Sequence, residues 1–262
     1  MEAVRTPLIA GNWKMNLDHL QAIALVQKLS WALGDVKHDF ADVEVAVFPP
    51  FTDLRSVQTL IAADKLALKL GAQDVSAHTS GAYTGEISSD FLARLDVNYV
   101  LVGHSERRQY HAETDAVVGA KAKQAAASGL VPVICVGENQ SDLDEFGPAK
   151  VACDQLAAVL DVFGSKHDFV VAYEPVWAIG TGNAASPSDA QGVILELRRV
   201  ISSAVGEESA NATRILYGGS VKSENVASFM RESDIDGVLV GGASIDVNEF
   251  ARIVQYKKHV GR

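Results

Sequence analysis

Three side chains that could carry acid–base chemistry each follow a short apolar segment. Lys14 comes after the first such segment, His104 after the fourth and Glu174 after the sixth. A lysine at such a place supplies a cation. The backbone amides where a strand gives way to a helix disfavour the protonated form of His104, and a neutral imidazole can donate a hydrogen bond to a carbonyl oxygen. Taken singly, a lysine or histidine of this kind is more often structural than catalytic.

Glu174 is followed by a strongly apolar loop. We expect burial beside this loop to raise the pKa of the Glu174 carboxyl towards the range that suits a general base. Apolar residues in an exposed loop favour a lid that closes over a ligand, with bending confined to the proline and glycines at its ends. The alternative is a loop packed permanently on its own domain. The lid residues are Pro175, Val176, Trp177, Ala178, Ile179, Gly180, Thr181 and Gly182.

Two glycine pairs follow the seventh and eighth apolar segments. They are Gly218-Gly219, before Ser220, and Gly241-Gly242. Paired glycines let backbone amides approach an anion closely, and a helix start adds positive potential. The sequence therefore predicts a phosphate-binding site formed by these two loops.

Eight short apolar segments alternate with helical stretches. They span residues 8–10, 43–48, 66–70, 99–102, 131–136, 169–173, 214–217 and 237–240. Most are continuously apolar, which is typical of parallel strands buried on both faces. A closed (β/α)8 barrel and a doubly wound open sheet both fit this order. Eight repeats in 262 residues favour the barrel, as a single domain over residues 1–262.

Helices are predicted at 189–204, after the cap Ser186 and Pro187, and at 112–127, before Ser128-Gly129. Two connections, 73–88 and 174–186, are longer than their neighbours. Long loops inside a compact domain are usually functional or poorly ordered, and both of these follow a strand.

The composition excludes several classes of function. A formal net charge of −10 argues against a general nucleic-acid surface, although a few local donors could still hold a small anion. No apolar stretch approaches the roughly 20 residues that span a bilayer, and the N-terminal residues do not resemble a signal peptide. We therefore expect a cytoplasmic protein without a membrane partner. Cys135 and Cys153 have no metal-binding spacing and are expected to be reduced thiols.

Five motifs together resemble the triosephosphate isomerase family, in the family order and over residues 8–255. They are Gly-Asn-Trp-Lys-Met-Asn at 11–16, Gly-His-Ser-Glu-Arg-Arg at 103–108, Tyr-Glu-Pro-Val-Trp-Ala-Ile-Gly-Thr-Gly at 173–182, Tyr-Gly-Gly-Ser-Val at 217–221 and Leu-Val-Gly-Gly-Ala-Ser at 239–244. The resemblance implies a cofactor-free, metal-free aldose–ketose isomerase that interconverts dihydroxyacetone phosphate and glyceraldehyde 3-phosphate through an enediolate, in glycolysis and gluconeogenesis.

The resemblance also implies a role for each matching residue. Glu174 would be the base, His104 the electrophile and Lys14 the cation that serves both the phosphate and the developing oxyanion. Asn12 would orient the substrate, and Glu106 would support Lys14. The phosphate would be held by backbone groups of Gly180, Ser220, Gly241 and Gly242.

A homodimer is a further implication, because in the family the long loop after the third strand reaches into a second subunit. Here that loop is 73–88, and Thr84 would touch the partner's active-site region. The sequence departs from the family at Asp74, where Asn is usual, and at Asn183, where Lys is usual. Asn183 leaves the closing rate of the lid open.

Three other readings stay open on the residues alone. Another phosphate-binding barrel enzyme would need further acids or lysines at other strand ends, and these are not evident. A glycosidase would need two carboxylates at neighbouring strand ends, but only Glu174 has such a position. A catalytically inactive barrel could serve as a phosphate-ligand binding module. The complete set of Lys14, His104 and Glu174 argues against that interpretation.

Overall fold

Eight parallel strands form a closed barrel in the computed structural model, which describes residues 5–179 and 185–259. Each strand pairs with the next along the chain, and β8 pairs with β1 to close the sheet. The predicted (β/α)8 barrel is therefore confirmed, and the open sheet is excluded. The strands are β1 Leu8–Asn12, β2 Glu44–Phe48, β3 Lys69–Ala72, β4 Tyr99–Val102, β5 Val131–Val136, β6 Val170–Tyr173, β7 Arg214–Tyr217 and β8 Gly237–Val240.

Helices occupy the connections between the strands. They are α1 His19–Asp35, α2 Phe51–Asp64, α3 Ser89–Ala93, α4 Ser105–His111, α5 Asp115–Ala127, α6 Gln140–Phe146, α7 Lys150–Phe163, α8 Pro187–Val205, α9 Glu207–Ala212, α10 Val226–Phe229 and α11 Val247–Val254. Short 3₁₀ turns cover Val176–Ala178, Gly242–Ile245 and Tyr256–His259. Among the described residues, none of the helices is both long and apolar enough to cross a bilayer.

The core is divided by the barrel wall. One cluster of buried side chains, including Leu101, Cys135 and Leu216, fills the barrel interior, and a larger cluster lies between the strands and the helices. Every strand except β3 therefore contributes apolar side chains to both clusters, which explains why these strands are continuously apolar. Cys135 and Cys153 are free thiols, and burial raises the pKa of both.

The third strand lies later in the chain than predicted. Lys65 ends α2 in a left-handed conformation, and the Leu66 amide donates back to Ile61. The segment 66–68 therefore still belongs to the connection. The strand includes Gly71, where a Cβ would lie 2.3 Å from the Phe48 ring. Because Gly71 interrupts the apolar residues of β3, the apolar pattern of this strand was too weak to recognise. Packing against the Phe48 ring nevertheless requires a glycine at this position.

The helix prediction for 112–127 was also wrong at its start. Ala112 ends α4 in a left-handed conformation, and Thr114 caps a new helix by accepting a hydrogen bond from the Val117 amide. The prediction for 189–204 is confirmed within α8. There the Ser186 side chain accepts from the Asp189 amide, and Pro187 stands in the first turn.

Candidate active site

A cavity of about 270 Å³ lies at the carboxyl ends of the strands. It brings together seven of the predicted catalytic and substrate-binding residues, from five different strand ends or the loops that follow them: Asn12, Lys14, His104, Glu174, Ser220, Gly241 and Gly242. The carboxyl ends of the strands are where barrels of this kind carry their active sites. A larger cavity of about 500 Å³ lies at the opposite end of the barrel, near the start of β7. The candidate site is therefore identified by the chemistry of its lining residues and not by its volume.

Lys14 is held in an unusual backbone conformation at the end of β1. Its φ of 54° lies in the left-handed region that non-glycine residues seldom adopt. Its amide donates to Asn12 Oδ1 at 3.0 Å, and its carbonyl accepts from Gln73 Nε2 at 2.8 Å. The same Gln73 nitrogen also donates to the Phe48 carbonyl at 2.8 Å. These contacts fix the direction in which Lys14 leaves the strand.

The Lys14 ammonium pairs with Glu106 across the site. Lys14 Nζ donates to Glu106 Oε1 at 2.5 Å. Glu106 does not line the cavity itself. A Cβ on Gly241 would lie 3.5 Å from Lys14 Cε, so the lysine stem runs beside the loop after β8.

His104 caps the start of α4 and is almost fully buried. Its Nδ1 accepts a hydrogen bond from the Glu106 amide at 3.3 Å, so the ring proton of the neutral form lies on Nε2. That Nε2 faces Glu174 Oε1 at 2.9 Å. The imidazole is therefore arranged to donate a hydrogen bond from Nε2.

Glu174 is 2% exposed and accepts hydrogen bonds from two groups besides His104. The Ser105 amide donates to Oε2 at 2.9 Å, and the Ser105 hydroxyl donates to Oε1 at 3.4 Å. Because Ser105 is the first residue of α4, its amide has no partner within the helix and is free for this contact. The carboxylate is thus docked against the start of α4.

The pKa values of this pair shift in opposite directions. Burial raises the pKa of the Glu174 carboxyl, but His104, the Ser105 amide and Lys14 together lower it below its usual value. Burial lowers the pKa of His104, whereas the facing Glu174 carboxylate raises it above its usual value. Our expectations of a raised pKa for Glu174 and a disfavoured His104 cation are therefore wrong for this arrangement. The reason is the direct contact between the two side chains, which a sequence cannot reveal.

Side chains at the first glycine pair would collide with their surroundings, whereas at Gly241 and Gly242 a Cβ would meet no atom closer than 3.5 Å. A Cβ on Gly218 would come within 3.0 Å of Glu174 Cγ, and a Cβ on Gly219 within 2.2 Å of the Tyr217 hydroxyl. The second pair leads into the short 3₁₀ turn Gly242–Ile245. Both loops line the cavity.

The first part of the predicted lid is attached to the loop after β5. Trp177 Nε1 donates to Glu138 Oε1 at 3.1 Å, and the Val176 amide donates to the Glu138 carbonyl at 3.0 Å. Pro175 and Ala178 are buried, and Ile179 lines the cavity. Gly180, Thr181, Gly182 and Asn183 lie outside the described residues.

The loop 73–88 projects from the barrel. Its base is closed by the Ser76 amide, which donates to the Ile87 carbonyl at 2.8 Å, and within it His78 stacks on Tyr83. Residues 78–86 are exposed, including Thr84, which does not line the cavity of its own chain.

Four residues that hold or line the site were missed by the sequence analysis. Gln73 and Ser105 hold Lys14 and Glu174. Glu138 holds Trp177, and Lys222 adds a second cation to the cavity wall. Ser105 lies within the motif at 103–108 and Lys222 directly follows the motif at 217–221, which was the available signal. Within 5–179 and 185–259, no cluster of His, Cys, Asp or Glu side chains is arranged to hold a metal ion.

The closed barrel, with Lys14, His104 and Glu174 lining a cavity at its strand ends, defines a (β/α)8-barrel protein of the enzyme type. The family model described as triosephosphate isomerase matches residues 7–257. A triosephosphate isomerase of Leifsonia xyli subsp. xyli is 64% identical over 256 residues, covering 98% of this chain and 99% of that protein. A triosephosphate isomerase of Streptomyces coelicolor is 55% identical over 97% of this chain and 98% of that protein. One of Mycobacterium avium is 54% identical, covering 95% of each.

The chain belongs to the triosephosphate isomerase family. The reaction of this family is the reversible isomerisation of dihydroxyacetone phosphate and D-glyceraldehyde 3-phosphate, a step of glycolysis. The chain is therefore an intramolecular aldose–ketose isomerase, and the rival readings as another barrel enzyme or an inactive binding module are excluded.

Proposed function

We propose that Glu174 is the base that carries the proton between carbons 1 and 2 of the triose phosphate. It is the one carboxylate lining the cavity among the described residues. To reach a substrate carbon it must leave the Ser105 amide and turn into the cavity that it already borders. In the first step it takes a proton from carbon 1 of the ketose. Between the two steps the hydroxyl proton passes from oxygen 1 to oxygen 2 through His104 Nε2, which gives its proton to oxygen 2 and takes the one on oxygen 1. In the second step Glu174 returns a proton to carbon 2 of the enediolate, so both side chains end unchanged.

His104 is the electrophile in this proposal. Its Nε2–H would donate to the substrate carbonyl oxygen and stabilise the enediolate, while Nδ1 continues to accept the hydrogen bond from the Glu106 amide. A neutral imidazole in this role is the established arrangement for this family. Once Glu174 turns towards the substrate, the contact that raises the pKa of His104 is lost, whereas the amide that fixes its tautomer remains.

Lys14 and the glycine loops would hold the charges of the substrate. The Lys14 ammonium, beside Gly241, is within reach of both a phosphate in the loops and an oxyanion near His104. Asn12 would orient the substrate, Glu106 would support Lys14, and the backbones of Gly180, Ser220, Gly241 and Gly242 would bind the phosphate. Residues 175–182 would close as a lid, since an enediolate open to water would expel its phosphate.

The observation that carries the mechanism is the meeting of Glu174, His104 Nε2 and Lys14 at one cavity. Glu174→Gln tests it, because it removes the base while keeping the shape. We expect turnover to fall about 1,000-fold or more, while the affinity for 2-phosphoglycolate stays within a few-fold. Unphosphorylated glycolate should bind far more weakly than 2-phosphoglycolate. Turnover near that of the parent enzyme would place the base elsewhere.

We also propose that the protein is a cytoplasmic homodimer, as the resemblance implies. Large apolar side chains are exposed in the projecting loop and elsewhere: Tyr83 is 43% exposed, Met15 95% and Tyr110 72%. Exposed apolar groups of this size favour a protein partner. Thr84 at the loop tip would then reach the partner's site, and Gln73 would connect the loop to Lys14.

Light scattering at micromolar concentration tests the dimer. The parent protein should have twice the mass of the chain, and Met15→Asp combined with Tyr83→Asp should give a folded monomer of much lower turnover. Trp31→Asp is the control, because Trp31 is 66% exposed on α1 and outside the loop. A parent protein that is monomeric would contradict the proposal.

A further inference from the structure

The side chain of Arg108, in α4, donates hydrogen bonds to three segments of the chain at once. Its Nε donates to the Gly103 carbonyl at 2.9 Å, its Nη1 to Asp115 Oδ1 at 2.6 Å and its Nη2 to the Cys135 carbonyl at 3.3 Å. These partners lie after β4, at the start of α5 and within β5. Only 17% of the side chain is exposed, and a guanidinium buried to this extent is costly unless its donors are paired.

The Arg108 guanidinium continues the contact between β4 and β5 past the end of their pairing. The last paired residues are Val102 and Ile134. Gly103 and Cys135 directly follow these two residues, and the carbonyls of both accept hydrogen bonds from the same guanidinium. Because a guanidinium is planar and its donors point in fixed directions, the two carbonyls are held at a fixed separation.

Gly103 is the residue through which this contact reaches His104. Its φ of 69° is in the left-handed region, and a Cβ there would lie 2.7 Å from Val118 Cγ2. A glycine restricts its own dihedral angles least of all residues, so the peptide group that follows it needs an external partner to fix its orientation. That peptide group consists of the Gly103 carbonyl and the His104 amide. The Arg108 bond to the carbonyl therefore fixes the direction in which the His104 backbone begins.

His104 is also held by the first turn of α4, to which Arg108 belongs. The amides of Arg107 and Arg108 donate to the His104 carbonyl at 2.8 Å and 3.1 Å. The Glu106 amide donates to the His104 ring at Nδ1. The backbone on both sides of His104 is therefore tied to α4, on one side by helix amides and on the other by the Arg108 side chain.

We propose that Arg108 is a positioning residue for the isomerisation, which fixes the direction of the His104 imidazole through the Gly103 peptide. Arg108 is not among the described residues that line the candidate active site, so it would act without touching the substrate. Asp115 would orient the guanidinium and balance its charge. The inference rests on the role proposed for His104. Misplacing a donor by about 1 Å can cost roughly 100-fold in rate, so a loosened Gly103 peptide should lower kcat.

Arg198 offers a matched control at the opposite end of the barrel. Its guanidinium likewise donates to two backbone carbonyls, those of Ala210 at 2.7 Å and Thr213 at 2.9 Å, and to the Asp236 carboxylate at 2.8 Å. Arg198 is also buried. Thr213 and Asp236 directly precede β7 and β8, so these contacts lie at the amino ends of the strands. Loss of Arg198 should therefore lower stability without moving His104.

Steady-state kinetics of Arg108→Lys and Arg198→Lys test the proposal on the full chain. Lysine keeps the charge but not the planar set of donors, so both proteins should fold with a lower melting temperature. Arg108→Lys should lose at least about fivefold in kcat, whereas kcat of Arg198→Lys should stay within about twofold of the parent value. The inhibition constant of 2-phosphoglycolate should change less than about threefold in both, because the phosphate is proposed to bind to the glycine loops.

A double-mutant cycle shows whether Arg108 acts through His104. We expect Arg108→Met to lose about tenfold or more in kcat in the parent protein, but less than about threefold when it is added to His104→Ala. Once the imidazole is absent, its direction no longer matters. An undiminished loss in the His104→Ala background would overturn the proposal, and so would equal losses of kcat in Arg108→Lys and Arg198→Lys.

The ring-nitrogen NMR resonances of His104 provide a measurement that does not depend on activity. They are identified by their absence from His104→Ala, and they should shift or broaden in Arg108→Lys but not in Arg198→Lys. Unchanged resonances in Arg108→Lys would overturn the proposal. Full turnover of His104→Ala would instead contradict the role proposed for His104, so the two failures are distinguishable.

Discussion

His104 Nε2 lies 2.9 Å from Glu174 Oε1, so the proposed electrophile and the proposed base share a hydrogen bond. Each stabilises the charged form of the other, which is why the pKa of His104 is raised and that of Glu174 is lowered. The contact must break before Glu174 can reach a substrate carbon. The docked carboxylate is therefore a resting arrangement, and the groups that hold it influence how readily the base is released.

His104 should be replaceable by a neutral donor but not by an apolar group. We expect His104→Gln to retain part of the turnover, because an amide nitrogen can donate a hydrogen bond to the enediolate. His104→Ala should lose about 100-fold or more in kcat, with little change in the affinity for 2-phosphoglycolate. Steady-state kinetics of the two variants provide the comparison. Equal turnover in both would mean that His104 does not act as a donor.

The Ser105 amide should control the acid limb of the pH profile. Ser105→Pro removes this amide at the first helical position, where proline is tolerated, and the extended conformation of His104 suits a residue before proline. Because the amide stabilises the carboxylate form, its loss raises the pKa of Glu174. The acid limb of kcat/KM should therefore move to higher pH.

Ser105→Ala is the matched control for that experiment. It keeps the amide and loses only the hydroxyl contact at 3.4 Å, so its profile should stay close to that of the parent enzyme. A shift of the limb to lower pH in Ser105→Pro, or the same shift in both variants, would show that the amide does not set this pKa.

Lys121 should be far more important for stability than an exposed lysine. It is 5% exposed, and its ammonium donates to Asp74 at 2.7 Å and to Glu113 at 2.6 Å. Lys121→Met leaves both carboxylates without their ammonium partner, although Arg107 also contacts them. We expect a loss of about 3–5 kcal/mol in the free energy of unfolding.

Lys150→Met provides the comparison, because Lys150 pairs with Asp154 on the exposed surface of α7. That pair should contribute less than about 1 kcal/mol. Urea denaturation at one fixed protein concentration measures both variants. If the two variants lose similar amounts of free energy of unfolding, the burial of Lys121 with Asp74 and Glu113 adds no stability.

Gly137 should tolerate no side chain. An alanine Cβ there would lie 1.7 Å from the backbone oxygen of Glu174, so the strand end that carries the base would have to shift. We expect Gly137→Ala to lose about 1–3 kcal/mol or more of stability, together with most of its turnover. Gly34→Ala, in α1 with nothing within 4 Å of the new Cβ, should be neutral or slightly stabilising. Differential scanning calorimetry and a coupled isomerase assay would record both effects. Full activity in Gly137→Ala would contradict this expectation.

The order of the elements and the residues at the strand ends could be predicted from the sequence alone. Continuously apolar segments indicated strands buried on both faces, and both barrel faces are indeed buried. In a parallel barrel every strand ends at the same face, so Lys14, His104 and Glu174 had to meet there once the strands were located. The third strand was misplaced because the residue that its packing against Phe48 requires, Gly71, has no apolar side chain to reveal it.

Only the tertiary structure decided which groups touch one another. Gln73 reaches the Lys14 carbonyl across 59 positions of the chain, and Ser105 reaches Glu174 across 69. Local composition carries no signal for such contacts. The directions of the pKa shifts depend on them, because burial alone would raise the pKa of Glu174, and the His104, Ser105 and Lys14 groups around it reverse that effect. The sequence determined the residue types available for the chemistry, and the packing of distant segments determined their charges and positions.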